Sequence, residues 1–301
     1  MQVHAIQPQG YCFGVVRALN LVKETVKNNP EQPIYLLGMI VHNDLINQAL
    51  AKMNVILLDD SKTKEQWISE IPGGIVIISA HGVNPALLAL AQKRKLEVVD
   101  ATCFYVKEVQ NIVADYLAQD YDIIYIGEEK HPEAQGIISI NPQRIHLVST
   151  AASLASLTIN NERIIVTTQT TVNYQTTENL FTAIKEHFPS AIILGEICSA
   201  TKERQTALSE LTNDYDLLLV VGDHSSNNAN KLVEIGTAKG IPRVMLITSV
   251  AELNGLDFTD IKKVALTSAT STPPYLSDQV IDYLQSYPNH PLPLIDLEKI
   301  L

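Results

Sequence analysis

GGIVIISAHGVNPALLALAQKRKLEVVDATCFYVKEVQNIVADYLAQDYDIIYIG, residues 73–127, alternates short β-branched runs with amphipathic stretches. GGIVIISA, KLEVVDA and YDIIYIG read as strands, and NPALLALAQKRK and YVKEVQNIVADYLA between them read as helices. The strand runs are almost continuously apolar, as parallel strands are when both faces are covered. Strand and helix in strict alternation, with short connections, give an α/β fold with mainly parallel sheets. The pattern extends both ways. PIYLLGMI lies before it, and RIIVTTQ, AIILGEI, DLLLVVG and VALTSA lie after it. Helical patterns such as VVRALNLVKETVK, TTENLFTAIKEHF, NANKLVEIGTAK and LSDQVIDYLQSY fall between these runs. Pro288, Pro291 and Pro293 then break the last helix, so 288–301 reads as an extended tail.

The 301 residues carry a net charge of −11, with 46% hydrophobic and 18% charged residues. That balance supplies ample cores and disfavours nucleic acid as a general partner. No apolar run is long enough to span a membrane, so no membrane partner is expected. The first ten residues, MQVHAIQPQG, have neither a basic nor an apolar export region. Three cysteines, an odd number, point to a reducing compartment, and the expected location is cytoplasmic.

Those cysteines, Cys12, Cys103 and Cys198, stand about a third of the chain apart, in GYCFGVVRALNLV, DATCFYVKEVQNIV and GEICSATKERQTAL. Each precedes an amphipathic helical pattern. One such cysteine reads as a small buried hydrophobe. Three in equivalent settings read as ligands of a metal centre that keeps one position open. A threefold repeat accompanies them. Roughly 30 residues after each cysteine comes a polar loop, with His42, His131 and Ser226 in turn. Roughly 70 residues after it comes a second, with His81, Thr170 and Ser271. The expected lobes are therefore 1–102, 103–197 and 198–287, followed by the tail 288–301. Ligands of open parallel sheets bind beyond the carboxyl ends of the strands. Three inward-facing lobes would bring the cysteines and all six loops to one central cavity.

Taken singly, the loops are weak signals. His131, Pro132 and Glu133 put an imidazole and a carboxylate at a helix start, which suits a proton relay and equally suits a cap. DHSSNNANK, residues 223–231, is dense in small donors that can cradle phosphate or cap a helix. His4, His146, His187 and His290 lack such a setting and read as surface or packing residues.

Together the strings GYCFGVVRA, HND with His42, SAHGV, DATC, HPEAQG, TQTT, EIC–AT–RQ, SSNNAN and TSTP resemble one family in order: 4-hydroxy-3-methylbut-2-enyl diphosphate reductases, iron–sulfur enzymes of the non-mevalonate isoprenoid pathway. The resemblance implies three pseudo-threefold-related α/β lobes around one [4Fe–4S] cluster per chain, held by Cys12, Cys103 and Cys198, with the fourth iron open to substrate. It implies reductive dehydroxylation of the allylic diphosphate to isopentenyl and dimethylallyl diphosphates. His42, His81 and His131 match residues around the bound diphosphate, as do Ser226, Asn228 and Ser271, and Asn227 stands where a serine is usual but can still donate to phosphate. Glu133 matches the acid of the proton relay, and Thr170 the hydroxyl near the substrate alcohol. The implied electron donor is a ferredoxin- or flavodoxin-type protein. Asn227, Phe104, Ile137 and Thr270 depart from the common pattern, which touches the shape of the diphosphate pocket and leaves the cluster ligands intact.

Rival readings are a quinolinate-synthase-like enzyme, a non-catalytic iron–sulfur sensor, and a zinc site of three cysteines and a histidine. Dicarboxylate-binding residues would favour the first, whereas the SSNN cradle and the SAHGV histidine suit a diphosphate better. Arg17, Lys107, Lys202 and Arg204 follow the cysteines closely and are expected to form a positive rim for the donor on an acidic protein, or else to be solvated helix-surface charges or internal ion-pair partners.

Overall fold

The computed structural model describes residues 1–59, 61–194, 198–212, 214–288 and 291–301. The last part of the expected AIILGEI strand and His290 lie outside the described residues. Among the described residues are three parallel four-stranded sheets, and the expectation of an α/β chain with three sheet lobes is borne out.

The strands are β1 (Gln2–Ala5), β2 (Ile34–Leu37), β3 (Val55–Leu58), β4 (Ile75–Ile78), β5 (Glu97–Asp100) and β6 (Asp122–Ile126). Then come β7 (Ile145–Val148), β8 (Ile164–Thr168), β9 (Ile192–Ile193), β10 (Leu217–Val221), β11 (Arg243–Ile247) and β12 (Lys263–Ser268). Their orders are β3-β2-β4-β5, β7-β6-β8-β9 and β1-β12-β10-β11. All pairings are parallel.

β6 shows why the runs are continuously apolar. Ile124 and Ile126 enter one core with Val166 and Ile184, while Ile123 and Tyr125 enter the opposite core with Val109, Val113, Ala134 and Ile137. Successive side chains of a strand point to opposite faces, and here both faces are covered by helices. β4 is likewise wholly buried.

The three sheets share one plan. In each, an edge strand leads into a cysteine: β5 into Cys103, β9 into Cys198 and β1 into Cys12. The two central strands lead into the two polar loops. The helices after the cysteines, Phe13–Asn28, Phe104–Ala118 and Ser199–Ser209, are the connections from one sheet to the next. Each cysteine thus closes a sheet, and cutting the chain just before it parts it from the strand that delivers it. β1 in particular pairs with β12, so Cys12 belongs with Ser226 and Ser271 by strand order.

The chain forms two compact units. One comprises Met1–Val16, Val41–Met53 and Ser199–Leu301 and holds the β1-β12-β10-β11 sheet. The other comprises Arg17–Ile40 and Asn54–Cys198 and holds the remaining two. No helix among the described residues is long and apolar enough to cross a membrane.

Candidate active site

Glu133 sits one residue into the helix Pro132–Ile138, which His131 caps and Pro132 starts. Proline there fixes a helical φ where no N–H is needed. The carboxylate is 2% exposed. Its Oε1 accepts from the Thr170 backbone N–H at 2.9 Å and from the Tyr125 hydroxyl at 3.4 Å, and its Oε2 accepts from the Thr170 hydroxyl at 2.8 Å. Burial pushes the carboxyl up to about 7, and the bonds from Thr170 and Tyr125 oppose that rise only partly. Burial and the Glu133 charge together raise the Tyr125 phenol well above its ordinary range. Tyr125 escaped the sequence reading because it lies inside the apolar DIIYI run. The ring alternation that buries it is what aims its hydroxyl at Glu133.

His131 Nδ1 accepts the Glu133 backbone N–H at 3.2 Å. A ring nitrogen that accepts is unprotonated, so the neutral ring carries its proton on Nε2. The His81 ring meets the His131 ring edge-on, with centroids 5.4 Å apart. His81 lies in the loop after β4, and the next residue, Gly82, has φ of +73° with Thr102 and Gln110 packed 3.0 Å from where a Cβ would lie. Only glycine fits that turn.

In the other unit, Ser226 caps the helix Asn227–Ala238 by accepting from the Ala229 N–H at 3.3 Å. Asn227 and Asn228 occupy its first turn, where backbone N–H groups lack intrahelical partners. Asn228 donates to the Thr270 hydroxyl at 3.3 Å, and its buried Oδ1 has no hydrogen-bond partner. The Ser271 hydroxyl donates to the His42 carbonyl at 3.2 Å, and the Asn43 amide donates to the Ser271 carbonyl at 3.0 Å. Asn43 also caps Asp44–Lys52, the helix that follows His42. The Cys12 N–H donates to the Thr270 carbonyl at 3.0 Å, and the Gly10 N–H donates to the Ser268 hydroxyl at 2.9 Å.

Cys12, Cys103 and Cys198 are half-buried, and none is in a disulfide. Cys103 is the residue before Phe104–Ala118 and makes no side-chain capping bond to it. Its N–H donates to the Ala80 carbonyl at 2.9 Å, next to His81.

Arg204 overturns part of the expected positive rim. It is 2% exposed, and its guanidinium donates to the carbonyls of Gly10 at 2.6 Å, Ala200 at 3.0 Å and Ser268 at 3.2 Å. A planar fork suits several carbonyls at once, and that fork staples the Cys12 loop to the end of β12. Lys107 is paired with Asp100, and Arg17 donates to the Thr102 carbonyl at 3.0 Å. Arg204 is thus buried against backbone carbonyls, while Lys107 remains at the surface in its ion pair with Asp100. Of the remaining histidines, His4 meets the Tyr215 hydroxyl at 2.5 Å, His146 meets Asp122 at 2.8 Å, and His187 packs on Phe188.

A family model described as LytB protein matches residues 3–285. The chain belongs to the LytB family. A relative from Geobacillus sp. (strain WCH70), a 4-hydroxy-3-methylbut-2-enyl diphosphate reductase, is 40% identical, over 97% of this chain and 93% of its own length. The solved structure of the E-1-hydroxy-2-methyl-but-2-enyl-4-diphosphate reductase from Plasmodium falciparum superposes with a TM-score of 0.88 at 33% identity, over 99% of this chain and 96% of that one. A solved (E)-4-hydroxy-3-methyl-but-2-enyl diphosphate reductase, described as the terminal enzyme of the non-mevalonate pathway, gives 0.66 at 28% identity, over 95% of this chain and all of that one. This LytB chain thus matches these reductases over nearly its full length.

Proposed function

We propose that this chain is a 4-hydroxy-3-methylbut-2-enyl diphosphate reductase. It takes the allylic alcohol, two electrons and two protons to water and to isopentenyl or dimethylallyl diphosphate. The observation that carries this reading is the buried Glu133–Thr170 pair. A carboxyl held near 7 is a proton donor suited to neutral pH, and a threonine hydroxyl lies within bonding distance of it.

Cys12, Cys103 and Cys198 fit a [4Fe–4S] group that leaves one iron without a protein thiolate. Such a group, when bound, would relay two electrons one at a time from an external donor and offer a Lewis-acidic site for the hydroxyl. The chain's own residues supply the rest. With Glu133 protonated on Oε2, the proton passes to Thr170 Oγ1 while the threonine hydrogen passes to the leaving oxygen. The hydroxyl then departs as water, a far better leaving group than hydroxide.

His131 carries its neutral-ring proton on Nε2 and can donate it to an anionic oxygen. Ser226, Asn227, Asn228 and Ser271, with His42 and His81, are the diphosphate donors in this reading. The buried Asn228 amide is consistent with that role. Turned over, it accepts from the Thr270 hydroxyl and frees its N–H₂ for a phosphate oxygen. A buried polyanion needs many such donors and benefits from a helix N-terminus. Electrons come from a ferredoxin- or flavodoxin-type donor, and the cytoplasm is the compartment in which three thiols outside disulfides stay reduced.

The test is anaerobic purification, reconstitution with iron and sulfide, and incubation with a chemical reductant and 4-hydroxy-3-methylbut-2-enyl diphosphate. Formation of the two isoprenyl diphosphates is expected. A cluster-loaded protein that leaves this substrate unconsumed overturns the reading.

A further inference from the structure

We infer that the segment 294–300 clasps the Cys12 loop, with Tyr11 as a positioning residue for Cys12. The inference rests on Cys12 being a cluster ligand. Three consecutive residues are each tied down, all within one unit. Gly10 and Cys12 are held through their N–H groups by Ser268 and Thr270. Tyr11, between them, donates its hydroxyl to the carbonyl of Ile300 at 2.5 Å.

The far end of that bond is anchored, not loose. Ile300 is 1% exposed, and the short helix Leu297–Lys299 before it packs against Asp44–Lys52, the helix that follows His42. Upstream, Asp296 donates its N–H to the Tyr275 hydroxyl at 3.2 Å, and Gln279 donates to the Leu294 carbonyl at 3.1 Å. The Leu294 side chain is 91% exposed, so the tail is held at chosen points and does not simply collapse onto the surface. Pro274, at the start of the same helix Pro274–Ser286, presses on Gly10, where a Cβ would come within 2.8 Å of it and φ is +73°. Ile300 therefore fixes the side chain next to Cys12, while the start of the helix Pro274–Ser286 fixes the backbone two residues before it.

Two variants test this: the mild Tyr11→Phe, which removes one oxygen, and deletion of 300–301, which also removes the buried Ile300 side chain. The first readout is alkylation of the cluster-free full chain by iodoacetamide, followed by mass spectrometry of each cysteine peptide. Losing one net hydrogen bond should raise Cys12 labelling by about fivefold, with Cys103 and Cys198 serving as internal controls that change less than twofold. The double variant should be no worse than the deletion alone, because both remove the same contact. The second readout is the rate of cluster loss to a chelator, expected to rise in both variants. Unchanged Cys12 labelling, equal increases at all three cysteines, or additive effects would overturn the clasp. A chain that never takes up a cluster, yet shows selective Cys12 labelling, would overturn the cluster reading and leave the clasp standing.

Discussion

Glu133 and Asp223 occupy corresponding loops, after β6 and after β10, and titrate in opposite directions. Each is a buried carboxylate that accepts from three donors. Asp223 takes the Asp44 N–H at 2.9 Å, and the Ser225 N–H and hydroxyl at 2.9 and 2.7 Å. Burial pushes it up, but those short bonds outweigh burial, and its carboxyl lies below the ordinary range. Glu133 has one long donor, Tyr125 at 3.4 Å, and lies in the packed interior beside Ala134 and Ile137, where burial wins. Equal donor counts do not make equal acids. Depth and bond length decide. One lobe thereby holds a proton that can be given away, and the other holds only a fixed charge that orders a loop of neutral donors.

The largest test removes what both lobes are expected to serve. Serine at any one of Cys12, Cys103 or Cys198 should abolish turnover and lose the cluster, read from visible absorbance and iron content. No spare thiol exists in the chain. A Cys103→Ser protein with a full cluster and near-normal turnover would falsify the three-ligand site.

Glu133→Gln separates the lobes. The amide keeps the shape but has no proton to give, so turnover at saturation should fall by about 10²-fold or more with substrate affinity nearly kept. The same variant should gain stability at high pH. Glu133 titrates near 4.5 in the unfolded chain and about 7 when folded. Both states are protonated below 4.5. Between 4.5 and 7 only the unfolded state ionises, so stability declines as pH rises through that window and is lowest above it. The span corresponds to about 3 kcal/mol. Denaturant melts at pH 4 and pH 8 should show that loss in the parent chain and its near absence in Glu133→Gln. Parallel pH profiles would mean that Glu133 is not the group that titrates.

Ser226→Ala tests the other lobe. It should raise KM by roughly tenfold while kcat changes only a few-fold, since a donor to bound diphosphate acts equally in ground and transition states. A pH-dependent fall in kcat would instead move proton chemistry into that lobe.

How much of this was legible follows from which residues break their usual habits. The buried strands β4, β6, β8 and β10 announced themselves because both faces are covered. The flanking β1, β3, β7 and β11 did not, because their mixed burial leaves short, mixed sequences such as QVHA. The pairing of β1 with β12 joins the two ends of the chain, and no local pattern encodes it. The order of cysteines and polar loops was readable from spacing. Which cysteine shares a sheet with which loop was not, since the helix after each cysteine is a bridge between sheets. Arg204 misled because arginine is so rarely buried. Only the fold shows that three backbone carbonyls satisfy its fork.

The smallest effect is the sharpest probe of the comparison, because it alters depth and donor at Glu133 without touching the carboxyl. Tyr125 donates to Oε1 and so favours the charged form. Tyr125→Phe removes that donor and makes the pocket more apolar, and both changes push the Glu133 carboxyl further up. The bond is long, so the shift should be less than about one pH unit. An acid catalyst is active while protonated, so kcat falls as pH climbs past its pKa. The falling limb in Tyr125→Phe should therefore move to higher pH, with the plateau below it nearly unchanged. A limb that stays in place shows that Tyr125 packs beside the acid without tuning it. A limb that moves to lower pH shows that the hydroxyl had been stabilising the neutral form, reversing the sign assigned to this bond.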